Sequence, residues 1–388
     1  MLREAGIAVA RSLLGTVNAA VPKMAKAVLA GFPDGEDSTL EIARHLAARP
    51  DLQTIVLTES GKPPSAAMIE GAIWCKRSSL RGLFHFLTAR HVFFTHGLYL
   101  SPKPPRSQTC VNVWHGMPIK RIGQLIGRTP PRATVVLATS DLFRSLVATC
   151  FGVSEREVLA TGIPRNDVMV RAGRRATAIK AKLGLAAPGS ATRLIIWLPT
   201  FRQAVRGIVR TDGRAHHSVF GMDDMDVQAF SSFLAERNCV CIVKPHPMAA
   251  DVSDTFESDW VKIWRERDLQ RAGLSLYEVV GAADLLITDA SSVYVDYLIL
   301  DRPVVIAFPD IEEYRSSRGF ALEPVDEFFA GPVVTSFASL CQAVDDALRR
   351  DDHKERRGRI AAMFHNHRDE HATERLLSAV LSPNAAFR

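Results

Sequence analysis

Residues 275–307, SLYEVVGAADLLITDASSVYVDYLILDRPVVIA, decide how this chain folds. Ser275–Ala282 reads as a helix and Leu285–Thr288 as a short apolar strand. Val293–Leu300 is the next helix and Val304–Ala307 the next strand. Short buried strands alternating with helices imply parallel strands joined by crossovers. Outward from this run the theme continues. Strands are expected at Leu194–Leu198 and Val240–Val243, with helices at Asp226–Arg237 and Ser336–Arg349. The first half repeats it with strands at Ala27–Gly31, Thr54–Thr58, Val92–Thr95, Cys110–Trp114, Val135–Thr139 and Glu157–Ala160. A helix through Ala48 follows the first of these. A basic helical stretch, Val168–Leu183, and a small-residue linker, Ala186–Thr192, join the halves. The reading is therefore α/β, with two Rossmann-like domains whose parallel sheets face a central cleft. No G-x-G-x-x-G follows a strand, so a dinucleotide fingerprint is missing. There is no internal repeat and no low-complexity segment.

Composition narrows the class. The 388 residues are 47% hydrophobic and 23% charged, which excludes a disordered or collagen-like chain. The 48 Lys+Arg against 42 Asp+Glu leave +6, a surplus that favours anionic partners. None of the six cysteines forms a C-x-x-C pair, so no zinc framework or dithiol motif is indicated. Cys239 and Cys241 share one face of a strand as core thiols, and a reducing cytoplasm fits. No apolar stretch reaches a membrane span; the longest early one, Ser12–Pro22, is short and ends in proline. No signal peptide is expected. Residues 2–21 form an amphipathic helix with Arg3, Arg11 and Asn18 seven apart, suited to a membrane surface or to docking on the protein.

Polar clusters stand at the ends of the expected strands, where open α/β sheets bind ligands. Trp114-His115-Gly116-Met117-Pro118-Ile119-Lys120-Arg121 places an imidazole, a base near neutral pH, ahead of two cations. Read alone, His115 equally suits a turn hydrogen bond. His96, in Thr95-His96-Gly97, lines the cleft or caps its strand. In Gly162-Ile163-Pro164-Arg165-Asn166-Asp167, Arg165 offers a bidentate phosphate fork, and Asn166 or Asp167 a helix N-cap. Thr200 and Arg202 follow the first strand of the second half, as loop ligands or as turn residues. Lys244-Pro245-His246-Pro247 presents a cation and a rigidly held imidazole to one point, which suits a pyrophosphate. Thr288-Asp289-Ala290-Ser291-Ser292 runs from a strand into a helix start that attracts phosphate or is merely capped by serine. Asp296 lies one turn on and suits a ribose or polyol hydroxyl. His365, His367 and His371 with Asp369 read as a polar helix start and not as a metal site.

In this order, WHGMPIKRIG, GIPRND, LPTFR, KPHP and the block from Leu276 to Val305 resemble the CDP-glycerol glycerophosphotransferases, the teichoic-acid and capsule polyol-phosphate transferases. The segment EEYRSSRGFALEPVDEFFAGPVV is a further echo, and the likeness covers roughly residues 25–380. The resemblance implies a GT-B fold, with the donor held by the C-terminal domain. It implies transfer of a polyol phosphate, chiefly glycerol phosphate, from CDP-glycerol or a related CDP-polyol to an acceptor hydroxyl, releasing CMP. It assigns His115 as general base and His246 as the group that steadies the donor pyrophosphate. Gly116, Arg165, Thr200, Arg202, Lys244, Thr288, Ser291, Ser292 and Asp296 fall on donor or phosphate positions. Met117, Gln203, Ala290 and Glu370 depart from the family's usual residues, which bears on the polyol and not on the reaction type.

The expected organisation is an N-terminal helix over 1–24, an acceptor domain over 25–170, a CDP-donor domain over 171–365, and a C-terminal helix over 366–388 that crosses back to the first domain. No cofactor is required, and no D-x-D-type carboxylate pair demands a divalent ion. The expected acceptor is a phosphorylated or lipid-linked glycan, and the expected place is the cytoplasmic face of the membrane. The surplus cations then divide. Lys120, Arg121, Arg165, Arg202 and Lys244 face the cleft, and Arg171, Arg174, Arg175, Lys180 and Lys182 face lipid or polymer. The rival reading is a GT-B glycosyltransferase using a CMP-activated or other nucleotide-activated sugar. Nucleic-acid binding is not expected, because no helix-turn-helix, RNP or zinc-finger pattern occurs.

Overall fold

The computed structural model describes residues 2–64, 68–185, 192–200, 202, 212–214, 218–246, 256 and 258–382. The linker expected at Ala186–Thr192 lies outside them apart from its last residue, as do Phe201, Gln203 and Pro247. The chain divides into two compact units. The first holds residues 1–117, 123–168 and 369–388; the second holds 118–122 and 169–368.

The first unit is built on seven strands: β1 (Met24–Ala30), β2 (Gln53–Thr58), β3 (Ala72–Lys76), β4 (Ala89–Phe94), β5 (Thr109–Asn112), β6 (Val135–Leu137) and β7 (Val158–Leu159). Their order is β3-β2-β1-β4-β5-β6-β7, and every pairing is parallel. The chain leaves β1 toward one edge and returns at β4 to build the other, so the winding reverses between β1 and β4. That is where such sheets open a crevice at their carboxyl ends. Val28, Leu29, Ile55, Val92, Phe93 and Val111 are fully buried, as strands covered on both faces require. Helix Asp37–Ala47 starts directly after β1, and the Glu36 carboxylate caps it by accepting from the Ser38 and Thr39 amides at 3.0 and 2.9 Å.

Helix Leu2–Ala20 packs with its polar side inward. Arg11 Nε donates to the Leu100 carbonyl at 2.8 Å, and buried Asn18 donates to Gln108 Oε1 at 2.8 Å. Lys23 Nζ donates back to the Asn18 carbonyl at 2.6 Å. Val9, Leu13 and Val17, one turn apart on the opposite side, are 61%, 64% and 47% exposed. At the other end of the chain, helix Ala372–Leu381 also belongs to the first unit. Asp167 caps it, accepting from the Ala372 amide at 2.9 Å, the Thr373 amide at 2.8 Å and the Thr373 hydroxyl at 2.6 Å. Asp167 is therefore the cap of a helix 205 residues downstream and not of its own helix, Pro164–Arg174. That helix begins with proline in its first turn, where the missing N–H costs nothing.

The second unit holds β8 (Arg193–Leu198), β9 (Cys239–Val243), β10 (Val261–Ile263), β11 (Leu285–Thr288), β12 (Val304–Ala307) and β13 (Val333–Val334), in the all-parallel order β10-β9-β8-β11-β12-β13. Its winding reverses between β8 and β11. Cys239 and Cys241 are buried in β9. The segment Pro118–Ile122 joins this unit: Lys120 bridges Phe320 antiparallel, and the Arg121 amide donates to the Gly319 carbonyl at 3.1 Å.

Several expectations change. The single basic helix over Val168–Leu183 is two helices, Pro164–Arg174 and Ala176–Lys182. Lys180 does not face lipid: its Nζ pairs with Asp284 Oδ2 at 2.6 Å, and Arg175 lies 3.6 Å from Glu278 Oε1. The sequence pattern does not predict strands β3, β10 and β13, nor helices Leu80–Thr88, Asp141–Phe151, Glu266–Ala272, Ile311–Ser317 and Lys354–Phe364. These strands are short and stand at sheet edges, where one missing neighbour relaxes the demand for apolar residues. Among the described residues no helix is long and apolar enough to cross a membrane, and no group of three metal-ligating side chains gathers.

Candidate active site

In the first unit, chemistry collects at the carboxyl ends of β1, β4 and β5. The Phe32 amide, just past β1, donates to Thr95 Oγ1 at 3.1 Å, and that hydroxyl sits 2.9 Å from His96 Nδ1. The His96 ring stacks on His115 with centroids 4.2 Å apart and planes within 10°. Trp114 also packs on His115, tilted, with centroids 3.8 Å apart. This stack needs a backbone that L-residues avoid. Trp114 has φ 58°, and its amide is held by Asn112 Oδ1 at 3.0 Å. Gly116 follows at φ 130°, a value that suits glycine. The Trp114 ring is wedged edge-on against Phe151 at 4.9 Å. Such strain persists only where the surroundings over-determine it, and it clusters at functional sites.

His96 keeps solvent contact along part of its surface, yet the packed rings around it disfavour an imidazolium. Desolvation, and then the charge of Arg77, lowers its pKa to about 4. At neutral pH a neutral imidazole therefore lies against His115. Arg165 is buried, and its Nη1 donates to the His115 carbonyl at 3.0 Å. Arg165 thus holds the backbone of the candidate base through Nη1.

In the second unit, the loops leaving β8, β11 and β12 are locked by one buried cation. Arg202 donates Nε and Nη2 to the two oxygens of Asp310 at 2.7 and 2.8 Å. Its Nη1 reaches Asp289 Oδ2 at 2.8 Å and Thr200 Oγ1 at 2.6 Å. Thr200 in turn donates its amide and hydroxyl to Asp289 at 3.0 and 2.7 Å. Phe308 and Tyr314 flank the guanidinium at 5.2 and 5.1 Å. Burial opposes the charge, but Asp289 and Asp310 outweigh it and hold the pKa above its ordinary value. Arg202 and Thr200 are therefore not open donor ligands; two carboxylates absorb them.

Two further assignments change. The Thr288 hydroxyl donates to the Leu198 carbonyl at 2.8 Å and clasps β11 to β8. Asp296 is fully buried and accepts from the Tyr277 hydroxyl at 2.6 Å, so it holds helix to helix and does not await a ribose. The groups that keep access at this edge are His246, Ser291 and Ser292, all partly exposed. Lys244, at the end of β9, is buried, with its Nζ 3.5 Å from Glu266 Oε2. Asp310, Tyr277 and Asn112 are not among the residues that the strand-end motifs single out, and Asp289 stands inside its motif with no role assigned to it. Asp310 carries a signal, since Pro309-Asp310 follows a strand as the other clusters do. Near the C-terminus, His365 is buried with Nε2 2.7 Å from the Val295 carbonyl, and His371 precedes helix Ala372–Leu381.

A family model described as CDP-Glycerol:Poly(glycerophosphate) glycerophosphotransferase matches residues 16–382. The chain belongs to this family. The chain is 27% identical over 266 residues to the teichoic acid ribitol-phosphate polymerase TarL of Staphylococcus aureus, covering 65% of itself and 44% of TarL. It is 26% identical over 322 residues to the teichoic acid ribitol-phosphate primase of Bacillus spizizenii, covering 77% of each. The chain thus spans about half the length of TarL and of the related polymerase TarK, at 44% and 48%. A solved structure of the wall teichoic acid polymerase TagF with CDPG superposes with TM-score 0.77 at 22% identity, covering 98% of this chain and 96% of that one. That likeness establishes the fold, two Rossmann-like domains of the GT-B class.

Proposed function

We propose that this glycerophosphotransferase-family chain moves a polyol phosphate, glycerol phosphate first among them, from a CDP-activated donor to an acceptor hydroxyl. The observation that carries the reading is the family match over residues 16–382, which includes every candidate residue at the strand ends. In the proposed step the acceptor oxygen attacks the β-phosphorus of the donor in line. The new P–O bond forms as the bond from that phosphorus to the bridging oxygen breaks. CMP leaves with the bridging oxygen, and the acceptor proton passes to His115. The first unit supplies the acceptor-side groups and the second the CDP-side groups. His246, Ser291, Ser292 and the cation Lys244 stabilise charge on the phosphates, and donors fixed in advance are worth about 3–4 kcal/mol each in such roles. Arg165 acts on His115 through its carbonyl and is a positioning residue.

The polymer served is teichoic-acid-like or capsular, and the place of work is the cytoplasmic face of a membrane. The outward apolar row Val9, Leu13, Val17 supports that placement. The deciding assay measures CMP release by the purified chain from CDP-glycerol, CDP-ribitol and a CMP-sugar, each with a lipid-linked glycan acceptor. Turnover of a CDP-polyol is expected. Turnover of the CMP-sugar alone would replace this reading with a glycosyltransferase. His115→Ala should abolish turnover while CDP binding stays close to wild type, and full activity in that variant would remove His115 from the mechanism.

A further inference from the structure

A cavity of about 350 Å³ opens in the first unit beside the His96–His115 stack. His96, Arg11, Ser101, Pro131 and Arg132 are among its walls, and no carboxylate lines it among the described residues. Ligand pockets begin at about this volume. Both cations lack an acidic partner among the described residues. Arg11 Nε is fixed on the Leu100 carbonyl at 2.8 Å, which orients the guanidinium and leaves its Nη groups without a described partner. A planar fork anchored at one nitrogen is preorganised for two phosphate oxygens. The walls are stiff as well: Pro130 and Pro131 fix one side, and Tyr99, Leu100 and Ser101 hold φ of 44°, 61° and 44° on the other.

We infer that this cavity binds the phosphate-bearing end of the acceptor, on the His96 side of the candidate base. The inference rests on the proposed transfer reaction and adds to it a specific acceptor subsite. Its position in the unit that carries the candidate base, with His96 in its wall and His96 stacked on His115, suits an acceptor and not the CDP donor. Two sources share the chemistry: a polyol-phosphate chain end, or the diphosphate that links a glycan to its lipid.

The test uses the full chain with saturating CDP present, so that donor-side phosphate sites are filled. Binding of sn-glycerol 3-phosphate and of farnesyl diphosphate is measured by calorimetry for wild type, Arg11→Gln, Arg132→Gln and Arg11→Lys. One probe or the other should bind wild type, naming the source. Each glutamine variant should weaken it about tenfold or more, the size of one charge-assisted hydrogen bond. Arg11→Lys should recover part of the loss, which a merely undocked helix would not. In turnover, acceptor KM should rise similarly while donor KM holds. Failure of both probes to bind, or equal binding by all variants, overturns the cavity. Normal probe binding with no CMP release from any CDP-polyol would instead overturn the transfer reading and leave the cavity standing.

Discussion

At the scale of single residues, Arg202 and His96 respond to lost hydration in opposite ways. Arg202 remains charged in the interior because two carboxylates surround it. Removing one member of such a group leaves the others buried and uncompensated, at about 3–5 kcal/mol. Arg202→Leu should therefore lower stability by that order in a urea titration. A loss below about 1 kcal/mol, the range of an exposed pair, would contradict the network. His96 loses its charge instead, with pKa lowered to about 4 from 6.5 by desolvation and then Arg77. A base with a depressed folded pKa contributes stability that is complete above 6.5 and is lost as pH falls toward 4. His96→Phe, which keeps the stack, should flatten the decline of Tm across that window. An unchanged slope would show that His96 titrates normally. Partners at this scale lay beyond sequence reasoning. Asp289 and Asp310 stand 87 and 108 residues from the arginine they neutralise, and Tyr277 is 19 from Asp296. The motifs revealed which residues stand at strand ends, but not which of them the fold would spend on one another.

Among the elements, legibility followed burial. β1, β2, β8, β9 and β11 lie inside their sheets and read as apolar runs, because both faces and both edges are covered. β3 and β10 stand at sheet edges and carry a lysine among apolar residues, and β13, also at an edge, is only two valines long. The N-terminal helix was legible as amphipathic, but its orientation was not: spacing marks two faces without saying which one the protein keeps. Here the polar face carries hydrogen bonds into the unit, and the apolar row points away. A Val9, Leu13, Val17 to serine triple variant should co-sediment less with anionic-lipid vesicles than wild type. Its Tm should barely move, since exposed substitutions are worth within about 0.5 kcal/mol each. A large fall in Tm would mean the row packs against protein. Equal sedimentation would detach the helix from any membrane role.

For the whole molecule, the two sheets were read from alternation alone, whereas the path of the chain between units was legible only in part. Pro118–Ile122 joins the second unit for five residues, and no composition change marks it. The C-terminal helix closes the first unit through Asp167. Burial raises the Asp167 pKa, while Thr373 and Ala372 hold it back. Deleting residues 369–388 should remove those donors and strand a carboxyl in the interior. Hydrogen exchange should then speed up in helix Asp37–Ala47 and in Pro164–Val168, with β8 to β12 unaffected. Uniform protection across both units would contradict the division. The same connection sets an order of events. A ribosome releases Asp167 more than 200 residues before Thr373, so the first unit waits without its last helix while the nearly continuous second unit is completed. Contacts so far apart in sequence close slowly and leave apolar strands uncovered in the interval. The part of the molecule that begins first is the part that matures last, and its hazard in synthesis is premature association through the apolar surface that Leu376, Leu377 and Val380 will cover.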